Sequence, residues 1–197
     1  MTDCPDYKRA TNAAYNVLQN YDGKFPEIDI FNILKMFNNI KLCSYSRAAE
    51  KIGIPHNEFA YQYASSEHGF TAAKYSNNRF IIYYNDWKDE TTVKFTFAHE
   101  LGHIILRHTE DNHVSKKEAD CFARNLLCPV PVSNGFNLET ISDYAKCFRV
   151  SEPMAAACIG NRKSDEYYIT THNYNLIDEK VYCYMANCTP MELYGYV

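Results

Sequence analysis

Residues 99–103 read His-Glu-Leu-Gly-His. On a helix, side chains four apart project from one face about a turn apart, so His99 and His103 can both reach a single metal ion. Glu100 stands one step round, where its carboxylate can address a water on that ion. A catalytic zinc takes three protein ligands and keeps a position open for water. His99 and His103 would supply two nitrogens. Glu100 is then the candidate base, taking a proton from the attacking water and passing it to the leaving amine. The chemistry predicted is zinc-dependent hydrolysis, with Zn2+ as the cofactor. Gly102, between the ligands, suits a close backbone approach or a tight helix crossing. His108 reads as a solvent-facing cation at the end of the same helix. No oxyanion donor is placed by position, although His68, His172 and the tyrosines are available.

The helix that must carry these groups is the longest apolar run, Val93 to Leu106, beginning between Asp89 and Val93. Phe95, Phe97, Ala98, Leu101, Ile104 and Ile105 make it largely buried. Before it, Tyr7 to Tyr21 has helical spacing ended by Asp22-Gly23, and Pro26 opens a second helical segment. Residues 40–45 alternate as a short strand, and 46–63 read as helical or mixed, broken by Gly53 and Pro55. Gly69-Phe70-Thr71 and Arg79 to Tyr84 are strand candidates, joined by a hairpin turn at Ser76-Asn77-Asn78. After it, a helix is predicted from Ser115 to Cys128, stopped at Pro129-Val130-Pro131. Asn137–Phe148 and Ser151–Arg162 form a helical pair, and 165–197 alternates in two places, as two strands or a partly disordered tail. Helices, a small sheet, a metal helix and more helices make an α+β chain.

With 197 residues the chain can bury a substantial core. A net charge of −4 argues against non-specific binding to nucleic acid or to an anionic membrane. No run reaches the length of a membrane span, and the N-terminus lacks the basic-then-apolar pattern of a secretory signal. Eight cysteines at irregular spacing do not form a disulfide framework, which points to reduced thiols and a cytoplasmic location. In the helical pair, the second helix offers Pro153-Met154-Ala155-Ala156-Ala157-Cys158-Ile159 rather than exposed basic side chains, so packing is favoured over direct nucleic-acid binding.

The stretch from Lys94 to Leu106, followed by Glu118-Ala119-Asp120-Cys121-Phe122-Ala123-Arg124-Asn125-Leu126-Leu127-Cys128-Pro129, resembles the two motifs of the ImmA/IrrE family of bacterial metallopeptidases. The similarity spans roughly residues 5–165. It implies a zincin-like core of the gluzincin type and a cytoplasmic protease, of the kind that phages and mobile elements use to act on their own repressor. The implied partner is a repressor-like, DNA-binding regulator, taken as a protein substrate, with no membrane involved. In the family the third metal ligand is usually a Glu four residues before the Asp or Asn of the second motif, and here that position is Lys116. An ammonium cannot ligate zinc. Asp120, one turn on from Lys116, and Glu118 are competing candidates for the third ligand. In relatives the residue at Asp120 more often orients a ligand histidine. Glu118 also fits a capping box, Ser115-Lys116-Lys117-Glu118. Glu110, Asp111 and His113 are the remaining suppliers.

Three parts follow: a metallopeptidase domain over 1–131, a helical extension over 132–164 and a Tyr-rich tail over 165–197. The alternative to a protease is a catalytically weak or inactive relative acting as a protein-binding or sensing module. Lys116 favours the module, and the intact His99-Glu100-His103 set opposes it.

Overall fold

The computed structural model describes residues 4–74 and 78–194. Within them the chain is mostly helical, with one three-stranded sheet, an α+β arrangement. Helix α1 (Tyr7–Gln19) is capped by Asp6, whose side chain accepts from the Arg9 N–H. The second helix, α2 (Ile30–Lys35), starts four residues after Pro26, because Asp29 provides the cap by accepting from the Phe31 and Asn32 N–H groups. Strand β1 (Ile40–Ser44) runs into α3 (Tyr45–Ile52), which ends at Gly53 in the left-handed region, φ +75°. There a glycine carries no steric cost. A short α4 (His56–Glu58) and a π-turn (Phe59–Tyr63) complete this stretch.

Strands β2 (Gly69–Lys74) and β3 (Arg79–Tyr84) pair antiparallel, while β1 joins β3 in parallel, giving the order β1-β3-β2. The expected turn at Ser76-Asn77-Asn78 lies largely outside the described residues. The strand β2 is therefore an edge, and Thr71 sits opposite Ile82 in the register.

Helix α5 (Glu90–Ile105) crosses behind this sheet. Its cap, Asp89, accepts from the Thr92 N–H and from the hydroxyls of Thr91 and Thr92. Helix α6 (His113–Leu127) packs along α5 and against α1. It begins two residues earlier than the sequence pattern indicated, because Asn112 and Ser115 form the reciprocal capping box. Ser115 is thus the third helical residue rather than the cap, which frees the Glu118 carboxylate for another partner.

The chain continues through α7 (Val130–Gly135), α8 (Ile141–Phe148), α9 (Glu152–Tyr168), α10 (Thr171–Ala186) and α11 (Pro190–Leu193). The tail corrects the alternation expected for it: residues 171–186 are one helix, with no strand in the described part of 165–197. Thr170 caps α10, whose buried positions are Asn173, Ile177, Val181 and Cys183, the first three spaced four apart. The helical period won because Ile177 and Val181 face the core. Lys180 adds a tie by donating to the Leu18, Gln19 and Tyr21 carbonyls at the end of α1. One hydrophobic cluster runs from Leu18 and Ile82 through Phe97, Leu101 and Phe122 to Phe148, Ile177 and Val181. Each such side chain contributes about 1.5–3 kcal/mol on burial, so this core fixes the α5–α6 pair that carries the site. No helix among the described residues is long and apolar enough to cross a membrane.

Candidate metal centre

The histidines and Glu100 share α5 but differ in surroundings. Phe97, Ala98 and Leu101 are fully buried on the core face, while His99 and His103 project from the side that borders a cleft of about 1470 Å3. The cleft wall also includes Thr71 from β2, Asp111 from the α5–α6 loop, Lys116 and Asp120 from α6, and Met154 from α9. Their Nε2 atoms face each other at 3.0 Å. The outer nitrogen of His99, Nδ1, is 2.8 Å from Asp120 Oδ1.

Glu100 is 8% exposed. The Thr71 hydroxyl donates to its Oε2 at 2.7 Å. Burial lifts its pKa above the ordinary carboxylate value, with the Thr71 bond and the neighbouring His99 opposing the rise. A raised pKa makes the carboxylate a stronger base than an ordinary one, in the direction a general base requires. Burial first, then His99 and His108, push His103 down to about 4. It is therefore a neutral imidazole across the physiological range, as a metal ligand must be.

His108 corrects the sequence reading. Its side chain is only 9% exposed and it bonds in two directions, Nδ1 to His103 Nδ1 and Nε2 to Glu118 Oε2, each at 3.0 Å. The reason is the exit from α5. Arg107 takes φ +55°, and the His108 N–H bonds back to the His103 carbonyl at 3.0 Å, which turns the imidazole onto its neighbour. A non-glycine residue in that region was not readable from the pattern, although Arg107 and His108 lie where helix-end turns form.

The two candidates for a third ligand occupy other stations. Asp120 engages the outer edge of His99, opposite the Nε2 that faces His103. Glu118 lies beyond His108, where it also accepts the Asp6 N–H at 2.8 Å and stands 3.8 Å from Arg9. Lys116 pairs with Asp111 at 3.1 Å on the rim of the cleft. Glu110 borders the cleft as well, whereas His113 opens α6 outside it. Among the described residues no three His, Cys, Asp or Glu side chains are grouped to hold an ion. The imidazole pair itself fits one. Two nitrogens at 2.0–2.1 Å from a tetrahedral zinc stand about 3.3 Å apart, only about 0.3 Å wider than here. For the oxyanion, His68 borders the cleft and His172 does not.

Thr71 is the contact that sequence reasoning missed. It was visible as part of a strand, but only the sheet register and the crossing of α5 bring it to Glu100.

A peptidase family model, described as the IrrE N-terminal-like domain, matches residues 49–173. That span runs from α3 into the start of α10 and contains the cleft's histidines, Glu100 and both α6 carboxylates. No curated protein and no solved structure matches the chain.

Proposed function

The chain belongs to the IrrE N-terminal-like peptidase family, and from that premise we propose a zinc-dependent endopeptidase with a zincin-like core that cleaves one specific cytoplasmic protein, a repressor-like regulator of a phage or mobile element. The family carries a metallopeptidase type of function. The observation that bears most weight is the placement of the His99–His103 pair and a buried Glu100 on one wall of a single cleft. His99 and His103 would hold the ion through their Nε2 atoms, and Asp111, on the bordering loop, is the candidate for the remaining protein ligand. Bound there, zinc supplies a Lewis acid for the peptide carbonyl and makes a nearby water acidic.

The chain's own residues do the rest. Thr71 occupies Oε2 of Glu100, which leaves Oε1 to receive the proton of the attacking water and to deliver it to the departing amide nitrogen. Asp120 fixes the ring of His99. The cleft is lined from the edge strand β2 to α9, and at about 1470 Å3 it has room for several residues of a polypeptide.

The test uses the whole protein with the repressor-like proteins encoded beside it. Glu100→Gln is expected to keep stoichiometric zinc and to lose cleavage. Full cleavage by that variant refutes the role of Glu100.

Lys116, paired with Asp111, is the observation behind a second reading, a weak or inactive relative that binds or senses a protein. Metal analysis of protein purified without chelator separates the two. One zinc per chain supports the peptidase, and none after reconstitution supports the module.

A further inference from the structure

The imidazole pair is the middle of a longer line. From one end it reads Asp120 Oδ1 to His99 Nδ1 at 2.8 Å, His99 Nε2 to His103 Nε2 at 3.0 Å, His103 Nδ1 to His108 Nδ1 at 3.0 Å, and His108 Nε2 to Glu118 Oε2 at 3.0 Å. Glu118 is 6% exposed, and its other oxygen accepts the Asp6 N–H at 2.8 Å. An ionised carboxylate can only accept hydrogen bonds. With a single hydrogen on His108, that hydrogen sits on Nε2 against Glu118 and Nδ1 offers a lone pair. That forces His103 to donate through Nδ1–H, which leaves the lone pair on Nε2. From the other end, Asp120 takes Nδ1–H of His99, and with that single hydrogen the ring leaves its Nε2 lone pair as well. The line thus ends with two lone pairs facing each other across 3.0 Å, an arrangement that a cation between them resolves.

We propose that His108 and Glu118 are positioning residues that fix the tautomer of His103 and thereby make the gap between the two Nε2 atoms a divalent-cation site. The device is anchored in the buried interior. Glu118 is held by the start of α1, through the Asp6 N–H and the nearby Arg9, and Arg9 also donates to the Leu106 carbonyl at the end of α5. The N-terminal turn, the exit of the metal helix and α6 are thereby fastened to the same carboxylate. The proposal rests on the metal reading above, but its first readout needs no metal.

The test is 15N NMR of the histidine rings in the metal-free protein, joined to zinc affinity by chelator competition. In the wild type His103 is expected as the Nδ1–H tautomer. Glu118→Gln is the informative change. The Gln carbonyl can keep the Asp6 N–H, so its NH2 group faces His108 and donates. Every step of the line then reverses, and His103 presents an N–H at Nε2 where the cation belongs. Zinc affinity is expected to fall by about 10–100-fold, the usual range for outer-sphere partners. His108→Gln accepts from His103 and donates to Glu118, so it keeps the polarity and should stay within about threefold of wild type, whereas His108→Leu should fall like Glu118→Gln.

An unchanged tautomer and affinity in Glu118→Gln, or equal losses in the Gln and Leu variants of His108, overturns the proposal. If Glu118→Gln does not fold, as amide dispersion will show, the two His108 variants decide, since both retain Glu118 and its Asp6 bond. A wild type with the Nδ1–H tautomer that binds no zinc supports the tautomer relay and removes the cation site. Zinc binding that is indifferent to the line does the reverse.

Discussion

Replacing Gly102 with alanine tests whether the α5–α6 separation is set by the site. A Cβ at this position would lie 3.1 Å from Phe122 Cδ1, 3.2 Å from Ala119 Cα and 3.3 Å from the Ala119 carbonyl oxygen. Carbon atoms in ordinary contact stand at about 3.5–4.0 Å, so the two helices must part by about 0.3 Å or more. The Phe122 ring can turn a little, but the Ala119 backbone is held inside α6 and can move only with it. Helix propensity favours alanine by about 1 kcal/mol, while overpacking a core costs about 1–3 kcal/mol. The balance expected is a loss of up to about 2 kcal/mol, from the difference of those two ranges. The His99–Asp120 bond spans the same helix pair and is 2.8 Å long, so the same movement stretches it and loosens the orientation of the His99 ring. Urea unfolding of the metal-free protein gives the stability, and chelator competition gives the zinc affinity. A Gly102→Ala protein stabilised by about 1 kcal/mol, the bare propensity gain, with zinc affinity unchanged, refutes the reasoning.

Two further expectations follow from the supports of the site. Asp89→Ala removes the cap of α5 and should cost about 1 kcal/mol in urea unfolding near neutral pH. Hydrogen bonds from Thr91 and Thr92 hold the Asp89 carboxyl below its ordinary 3.8. Its folded value is thus depressed: the contribution is present above 3.8 and is lost as pH falls through the folded value, so the gap between wild type and variant should narrow only in acid. A gap that widens there contradicts this sign. Arg124 donates twice to Asp165, each bond at 2.7 Å, joining α6 to α9 with Asp165 only 3% exposed. Asp165→Ala leaves a guanidinium largely buried without its partner and should cost about 3–5 kcal/mol, read as a lower urea midpoint. A cost under about 1 kcal/mol, the level of an exposed pair, shows that the bridge is solvated.

What could be read from the sequence was local. The pentapeptide at 99–103 names its own geometry, since a helix of Phe97, Ala98 and Leu101 has only one way to face a core and so only one way to point His99 and His103. The strands at 40–44 and 79–84, and the first half of 69–74, were readable because alternation and turn residues are local signals. The tail failed for the same reason: Tyr167-Tyr168-Ile169-Thr170 alternates locally, but Thr170 is a helix cap, and Ile177 and Val181 answer to α1 and α7 at a distance. The fastening of the site was beyond a local reading altogether. His108 depends on a left-handed Arg107, Glu118 on a chain segment 112 residues away, and Thr71 on a sheet edge 29 residues from Glu100. Each joins positions whose separation in the chain carries no pattern.

The rim and the floor of the cleft differ in how firmly they are held, and that bears on Lys116. The Lys116–Asp111 pair has side chains 54% and 70% exposed, so it is worth no more than about 1 kcal/mol. Releasing Asp111 toward an ion is therefore cheap, and an ammonium at this position is a weak competitor rather than a blocked site. The opposite holds for Glu118, whose carboxylate is buried and fully engaged by His108 and the Asp6 N–H. Removing its partners would strand a charge inside the protein, at a cost of several kcal/mol. On the proposal above, this firmly held carboxylate is what leaves the two imidazole lone pairs facing each other. The strongly held part of the structure is the part that turns His103 toward His99, while Lys116, where the resemblance implies a ligand, lies on the rim that solvent can rearrange. On this argument the peptidase reading stands or falls on whether an ion occupies the gap between His99 and His103, and much less on which oxygen completes its shell.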